Sequence, residues 1–135
     1  ITIEQGVELV WHALQDAMGG EIYIHKIPSM KVTDIANAID SNASQKIIGI
    51  RPGEKIHEVM ISKEDSRSTY EYEKYYKILP TLNDWHNDQG RIKEGLKVDE
   101  DFIYSSDSNK EWMTIEELQN FLKSSEYSEL QELNI

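Results

Sequence analysis

The chain has 135 residues, of which 39% are hydrophobic and 29% are charged, and this length suits one domain or one piece of a larger one. It contains no run of about 18 apolar residues and starts without a basic and apolar leader, so we expect no membrane span and a cytoplasmic protein. The absence of cysteine excludes disulfides and thiolate zinc sites. A formal net charge of -11 argues against a nucleic-acid partner.

The first two predicted elements are a helix and a strand. Thr2 and Gln5 have the spacing of a capping box, and Gly19-Gly20 provides a helix stop. The apolar positions that share one face of this amphipathic helix are Ile3, Val7, Val10, Trp11, Leu14 and Met18. Residues 21–27 alternate between apolar and polar side chains and stop at Pro28, which predicts a strand.

A second helix, a second strand and a turn are predicted next. Ser29 is expected to cap a helix that continues to Ile39, and the apolar residues 46–50 predict a short strand. The chain then enters the turn-forming segment 51–55, after which residues 56–60 suggest a short helix. This alternation of helices and strands predicts an α/β fold, in which ligands bind beyond the carboxyl ends of strands.

The remaining half is more polar. The tyrosine-rich residues 69–79 predict an extended segment, residues 81–101 a long loop, and residues 102–104 a brief strand. Thr114 opens a second capping box and helix. Residues 99–135 hold ten acidic and two basic residues, and 124–135 are predicted to form an acidic C-terminal tail.

The segment Arg51-Pro52-Gly53-Glu54-Lys55 carries the clearest chemical signal. Proline fixes φ and glycine permits a sharp turn, so the arginine lies on a stiffened backbone. Its guanidinium suits two oxygens of a phosphate or carboxylate, although the spacing alone favours an exposed turn with a solvated arginine. Glu54 has three possible roles: orienting Arg51, bonding a ligand hydroxyl, or starting the next helix.

Several other patterns carry no site. The four histidines lack metal-ligand spacing, so no metal is expected, and neither Gly-x-Gly-x-x-Gly nor a P-loop is present. Tyr70 and Lys74 have the Tyr-x-x-x-Lys spacing of short-chain dehydrogenases, but the surrounding tyrosines favour a strand, which would separate them. Exposed aromatic residues would suit a carbohydrate or a protein partner.

Blocks of sequence along nearly the whole chain resemble one enzyme family. The blocks are residues 1–7, 19–24, 26–31, 48–62, 70–72, 75–76, 104–106, 109 and 111–112. Together they resemble the C-terminal part of the bacterial inverting UDP-N-acetylglucosamine 4,6-dehydratases. These enzymes belong to the extended short-chain dehydrogenase/reductase superfamily and are related to polysaccharide biosynthesis proteins. Residues 81–101 match least.

The resemblance implies a C-terminal substrate-binding lobe over residues 1–123, built from short strands and packed helices. The family's Rossmann half, which binds NADP and holds the catalytic tyrosine and lysine, has no counterpart in these 135 residues. We therefore assign no catalytic residue, and whether the chain alone is an enzyme stays open. The implied partners are the Rossmann half, a UDP-sugar and, in the complete enzyme, further copies in a homo-oligomer.

By the same resemblance, the parent enzyme is an NADP-dependent lyase that converts UDP-N-acetylglucosamine into a 4-keto-6-deoxy sugar nucleotide for surface or flagellin glycans. Arg51 matches the arginine that binds the pyrophosphate, and Glu54 would contact a ribose or sugar hydroxyl. Ser105, Ser106 and Asn109 match a late polar motif able to bond the nucleotide. Two alternatives stay open: an acidic protein-interaction module, and the lobe of a related UDP-sugar epimerase or reductase.

Overall fold

The computed structural model describes residues 1–82 and 88–123, so the predicted acidic tail 124–135 lies outside the described residues. In chain order the elements are α1 (Ile3–Asp16), β1 (Ile22–His25), α2 (Val32–Ile39), β2 (Val59–Ile61), α3 (Lys63–Ser66), β3 (Thr69–Glu71), β4 (Tyr75–Ile78), α4 (Gln89–Ile92), β5 (Leu96–Lys97), β6 (Tyr104–Ser105) and α5 (Ile115–Lys123). The chain divides into two compact units. Unit 1 comprises residues 1–27 and 58–108, and unit 2 comprises 28–57 and 109–135.

Unit 1 contains a four-stranded sheet in the order β1-β4-β3-β5 and a two-stranded sheet of β2 and β6. All of these pairings are antiparallel. The predicted mixture of helices and strands is therefore confirmed, but the pairing differs from the parallel sheet typical of α/β folds. No helix in the described part of the chain is long and apolar enough to cross a lipid bilayer.

The two faces of the large sheet have different chemistry because side chains alternate along a strand. Tyr76 lies opposite Ile24 in the register, and both belong to a buried apolar cluster with Ile61, Ile78 and other residues. The intervening residue of β4, Lys77, points to the opposite face, where it is fully buried. A lysine in that position needs polar partners, and these are described with the site below.

The β3–β4 hairpin forms a second apolar cluster in unit 1. The rings of Tyr72 and Tyr75 stack in parallel with centroids 4.6 Å apart, and the Tyr72 hydroxyl donates to the Ile92 carbonyl at 2.7 Å. Gly95 packs so closely against this ring that an added Cβ would lie 2.5 Å from the Tyr72 hydroxyl oxygen. The extended conformation predicted for the tyrosine-rich segment is confirmed, and Tyr70 does not share a helix with Lys74.

Helix α1 begins where the sequence predicts, but its apolar face is not buried. The Thr2 hydroxyl accepts from the Gln5 amide and the Gln5 side chain accepts from the Thr2 amide, which completes the capping box. The six apolar residues of this face are 48–80% exposed. Periodicity thus located an apolar helix face without showing what covers it.

Unit 2 is organised by the packing of α2 against α5. The prediction that Ser29 caps α2 is wrong. The N-cap is Lys31, and its side chain makes no capping hydrogen bond. Ser29 instead pairs in parallel with Trp112: its amide donates to the Glu111 carbonyl at 2.9 Å, and its carbonyl accepts from the Met113 amide at 2.9 Å. The predicted capping box of α5 is confirmed by reciprocal hydrogen bonds between Thr114 and Glu117.

Four local predictions differ from the structure. Residues 46–50 form no strand, and Ile47 is 97% exposed. The helix expected over 56–60 is replaced by β2, because Val59 and Ile61 pair with β6. The segment 81–101, expected to be a loop, contains α4 and β5 in its described residues, and the strand expected over 102–104 is displaced to Tyr104–Ser105.

Candidate functional site

The turn at residues 51–54 has the geometry that its sequence predicts. The Glu54 amide donates to the Arg51 carbonyl at 3.1 Å, and Gly53 has φ +86°. Proline at the second position and a positive φ at the third are the signature of a type II turn, in which a residue with a Cβ at the third position would be strained. The backbone that carries Arg51 is therefore stiff for a local reason. It is not the end of a strand, since residues 46–50 form none.

The Arg51 guanidinium is exposed and only loosely paired. Its side chain is 72% accessible, and Nε lies 3.7 Å from Glu54 Oε1. Glu54 Oε2 also accepts from the Arg51 amide at 2.8 Å, so this glutamate both closes the turn and faces the guanidinium. No helix begins directly after Glu54, and its contact with a ligand hydroxyl stays a prediction. An exposed ion pair of this length is weak, which leaves the planar guanidinium edge available for an anion.

The two predicted serines belong to unit 1 and hold its small sheet together. The Ser106 amide donates to the Glu58 carbonyl at 2.9 Å, and the Glu58 amide donates to Ser106 Oγ at 3.0 Å. The buried Ser105 hydroxyl donates to the Asp107 carboxylate and lies 2.9 Å from the Ser108 hydroxyl. Both side chains thus have structural partners inside unit 1.

Asn109 belongs to unit 2, where it closes a turn. Its Nδ2 donates to Ser29 Oγ at 3.2 Å, and its Oδ1 accepts from the Glu111 amide at 3.2 Å. Its carbonyl accepts from Trp112 Nε1 at 2.9 Å. Asn109 and Arg51 therefore share a unit, while their hydrogen bonds are made to different residues.

A buried charged network in unit 1 was missed in the sequence. The Asp16 carboxylate accepts from Lys77 Nζ at 2.6 Å and from the Tyr23 hydroxyl at 2.6 Å, and it pairs with Lys93. Lys77 also donates to the Arg91 carbonyl at 2.7 Å, and its side chain is 1% exposed. The sequence does contain one indication of this network, because Lys77 stands between two apolar residues in a predicted extended segment.

The network shifts the pKa of Asp16 and that of Tyr23. Burial by itself raises the pKa of Asp16, but the hydrogen bonds from Lys77, Lys93 and Tyr23 outweigh it, so the pKa lies well below the ordinary value of 3.8. Burial, and then the hydrogen bond to the Asp16 carboxylate, raises the pKa of Tyr23. Asp16 is thus ionised and Tyr23 protonated at neutral pH. These groups already satisfy one another, which indicates a structural network. Residues 1–82 and 88–123 contain no group of three His, Asp or Glu residues able to hold a metal.

Comparison with known proteins places the chain in a family. The family described as "Polysaccharide biosynthesis protein" matches residues 1–80. The chain belongs to this polysaccharide biosynthesis protein family. Among relatives, it is 47% identical over 131 residues to "UDP-N-acetylglucosamine 4,6-dehydratase (inverting)" of Campylobacter jejuni, covering 93% of the chain and 39% of that protein. It is 26% identical to "UDP-glucose 4-epimerase" of Rickettsia massiliae, covering 94% of the chain and 38% of that protein.

A solved structure has a similar architecture. The X-ray structure of Pen from Bacillus thuringiensis superposes with a TM-score of 0.71 at 24% identity, over 90% of this chain and 35% of that one. At this identity the likeness concerns the fold alone. The chain spans about two fifths of the length of the relatives it matches.

Proposed function

We propose that this chain is the UDP-sugar-binding portion of a nucleotide-sugar 4,6-dehydratase that acts on UDP-N-acetylglucosamine. The product would be a 4-keto-6-deoxy sugar nucleotide for surface or flagellin glycans. The 47% identity to the Campylobacter jejuni dehydratase supports this proposal. The observation that carries it is the exposed Arg51 guanidinium on a rigid Pro-Gly turn.

Arg51 is the proposed anchor for the pyrophosphate. A diphosphate presents paired oxygens that match the two-donor edge of a guanidinium, and a hydrogen bond between charged groups contributes about 1.5–3 kcal/mol. The type II turn lowers the entropic cost of holding the arginine in place, because its backbone is already ordered. Glu54 is the proposed neighbour for a ribose or sugar hydroxyl. Contacts of Ser105, Ser106 and Asn109 with the nucleotide remain predictions.

NADP does not fit the residues of this chain. A dinucleotide site needs a glycine-rich turn between a strand and a helix, and the sequence has no Gly-x-Gly-x-x-Gly. The four glycines with positive φ, at positions 19, 20, 49 and 53, lie in no such turn. We infer that the Rossmann half of the enzyme binds NADP and packs on the exposed apolar face of α1. We also infer that the complete enzyme is a cytoplasmic homo-oligomer.

The test uses a chimera in which this chain replaces the matching region of the Campylobacter jejuni dehydratase. We expect the chimera to bind UDP-N-acetylglucosamine and NADP in titration calorimetry. Arg51→Ala should weaken sugar-nucleotide binding more than tenfold, which corresponds to about 1.4 kcal/mol, without affecting NADP binding. Arg51→Lys should recover only part of the loss, because an ammonium lacks the bidentate edge.

Two further variants complete this experiment. Lys110→Ala removes one positive charge from an exposed position in unit 2 and should leave binding unchanged. Gly53→Ala keeps the arginine but strains the turn, so it should weaken binding at unchanged net charge. Equal sugar-nucleotide affinity in the parent chimera and the Arg51→Ala chimera would mean that Arg51 does not contact the ligand.

A UDP-glucose 4-epimerase lobe is the second candidate, because relatives with that name match across 94% of the chain. Both candidates bind a UDP-sugar, so the pyrophosphate anchor does not separate them. The N-acetyl group does, since only one substrate carries it. Competition in the chimera between UDP-N-acetylglucosamine and UDP-glucose should favour the former, and a preference for UDP-glucose would support the epimerase.

A further inference from the structure

Unit 1 contains an open cavity of about 660 Å³ beside the edge strand β5. Its walls come from the end of α3, from β3, from α4 and from the segment that follows α4. This volume lies within the range of small-molecule sites, about 300–1,000 Å³. The cavity contains neither Arg51 nor any other residue predicted from sequence to bind the UDP-sugar.

The charge of this cavity is opposite to that of the protein. Three cationic side chains line it, Arg67, Lys93 and Lys97, and they face one carboxylate, Glu100. The chain as a whole has a formal net charge of -11. Because residues of the prevailing negative sign are almost absent from the cavity, its local field favours an anion.

Among residues 1–82 and 88–123, two of the three cations have no carboxylate partner. Lys93 pairs with Asp16, but none of the ion pairs within the described residues involves Arg67 or Lys97. Arg67 is exposed. Lys97 Nζ instead donates to the Arg67 carbonyl and to the Ser66 carbonyl at 3.4 Å, and it lies 4.8 Å from the centre of the Tyr70 ring.

The surroundings of Lys97 are unfavourable for its charge. Burial lowers the pKa of Lys97, and the attraction of the Glu100 carboxylate only partly opposes this. Carbonyl groups and an aromatic face stabilise an ammonium less than an anion does. A bound anion in the cavity would therefore stabilise the charged form of Lys97. Ile92 and the exposed Leu96 provide apolar wall beside the charged groups.

We propose that this cavity is a second ligand site, which binds a phosphorylated small molecule through Arg67 and Lys97. A phosphate monoester is a dianion near neutral pH, so its charge matches the two cations, Arg67 and Lys97, better than the charge of a single carboxylate does. The sugar or other organic part of the ligand contacts the apolar wall formed by Ile92 and Leu96. This site is separate in sequence and in unit from the Arg51 turn.

The experiment measures binding of inorganic phosphate and of glucose 1-phosphate to the full 135-residue chain. Titration calorimetry at constant ionic strength gives the affinity, and the backbone amides of Leu96 and Lys97 are followed by NMR. We expect saturable binding in the millimolar range or tighter, with glucose 1-phosphate bound more tightly than phosphate because of the apolar wall. Glucose without phosphate should not bind, and acetate should bind more weakly than phosphate.

Variants identify the residues that bind the anion. Arg67→Gln alters an exposed side chain, so the fold should survive, and binding should weaken about fivefold or more. Lys97→Met keeps the aliphatic stem over Tyr70 and should have a similar effect. Lys110→Gln removes the same unit of charge from an exposed position in unit 2 and should change the affinity less than twofold, because Lys110 does not line the cavity and an exposed charge is screened by salt.

Three results would overturn the proposal. The first is the absence of saturable binding of both phosphate probes. The second is equal binding of acetate and phosphate, which would mean a general charge effect. The third is binding that Arg51→Gln abolishes and Arg67→Gln does not, which would place the phosphate at the turn. None of these results concerns UDP-N-acetylglucosamine binding by the chimera, so the two proposals can fail separately.

Discussion

The buried pair of Asp16 and Lys77 gives a prediction whose magnitude follows from the contacts. The Asp16 side chain is 8% exposed and that of Lys77 is 1% exposed, with 2.6 Å between carboxylate and ammonium. Replacing Asp16 by alanine leaves the ammonium buried with a carbonyl and the Tyr23 and Tyr72 rings as its remaining partners. Breaking a buried ion pair in this way costs about 3–5 kcal/mol of the free energy of unfolding.

The double variant separates the cost of an unpaired charge from the value of the pair. When Lys77→Met is added to Asp16→Ala, no charge of this pair remains buried, and a well-packed apolar side chain replaces the lysine stem. The double variant should therefore be more stable than Asp16→Ala by about 2 kcal/mol. Urea unfolding followed by circular dichroism measures all four proteins of the cycle. The argument would be refuted if Asp16→Ala lowered the free energy of unfolding by less than about 1 kcal/mol, or if the double variant were no more stable than Asp16→Ala.

The same carboxylate predicts a dependence on pH. The pKa of Asp16 in the folded chain lies below its ordinary value of 3.8, so its stabilising contribution is complete above pH 3.8 and is lost as the pH falls towards the folded-state pKa. Stability should thus decrease below about pH 4 more steeply in the parent chain than in Asp16→Asn. Parallel slopes for the two proteins would mean that Asp16 is not held in its ionised form.

Two further predictions concern packing. Gly95→Ala should destabilise the chain by about 1–3 kcal/mol, because the new methyl group would overlap the Tyr72 ring. The matched control is Gly6→Ala, since nothing lies within 4 Å of a Cβ added there. Equal stability of the two variants would contradict the packing described for Gly95. The chain should self-associate in sedimentation experiments through the exposed face of α1, and Leu14→Gln with Val10→Gln should lower this tendency. Unchanged association in that variant would place the contact elsewhere.

Local structure could be predicted from the sequence where residues close in the chain determine it. The Thr2–Gln5 capping box locates the start of α1, because both hydrogen bonds close within four residues. The turn at Pro52-Gly53 is likewise determined by the φ preferences of its own residues. The Arg51 guanidinium was thus expected on a stiff turn, and it is found there.

Predictions failed where a distant partner decides the outcome. The three isoleucines in residues 46–50 have strand propensity, but a strand also needs a neighbour to pair with. Val59 has the same ambiguity and becomes part of β2 because Ser105 is its partner. The role of Asp16 depends on Lys77 and Lys93, which lie 61 and 77 residues away. No local pattern contains that information.

The interleaving of the two units affects how the protein is made. The chain leaves unit 1 after residue 27, returns at residue 58 and leaves again after residue 108. Helix α2 packs against α5, which is synthesised some eighty residues later, so the contact face of α2 stays unpaired until then. We expect nascent chains that stop after residue 80 to be substrates for chaperones, because they contain neither a finished sheet nor a partner for α2. Expression boundaries placed between the units would cut both of them.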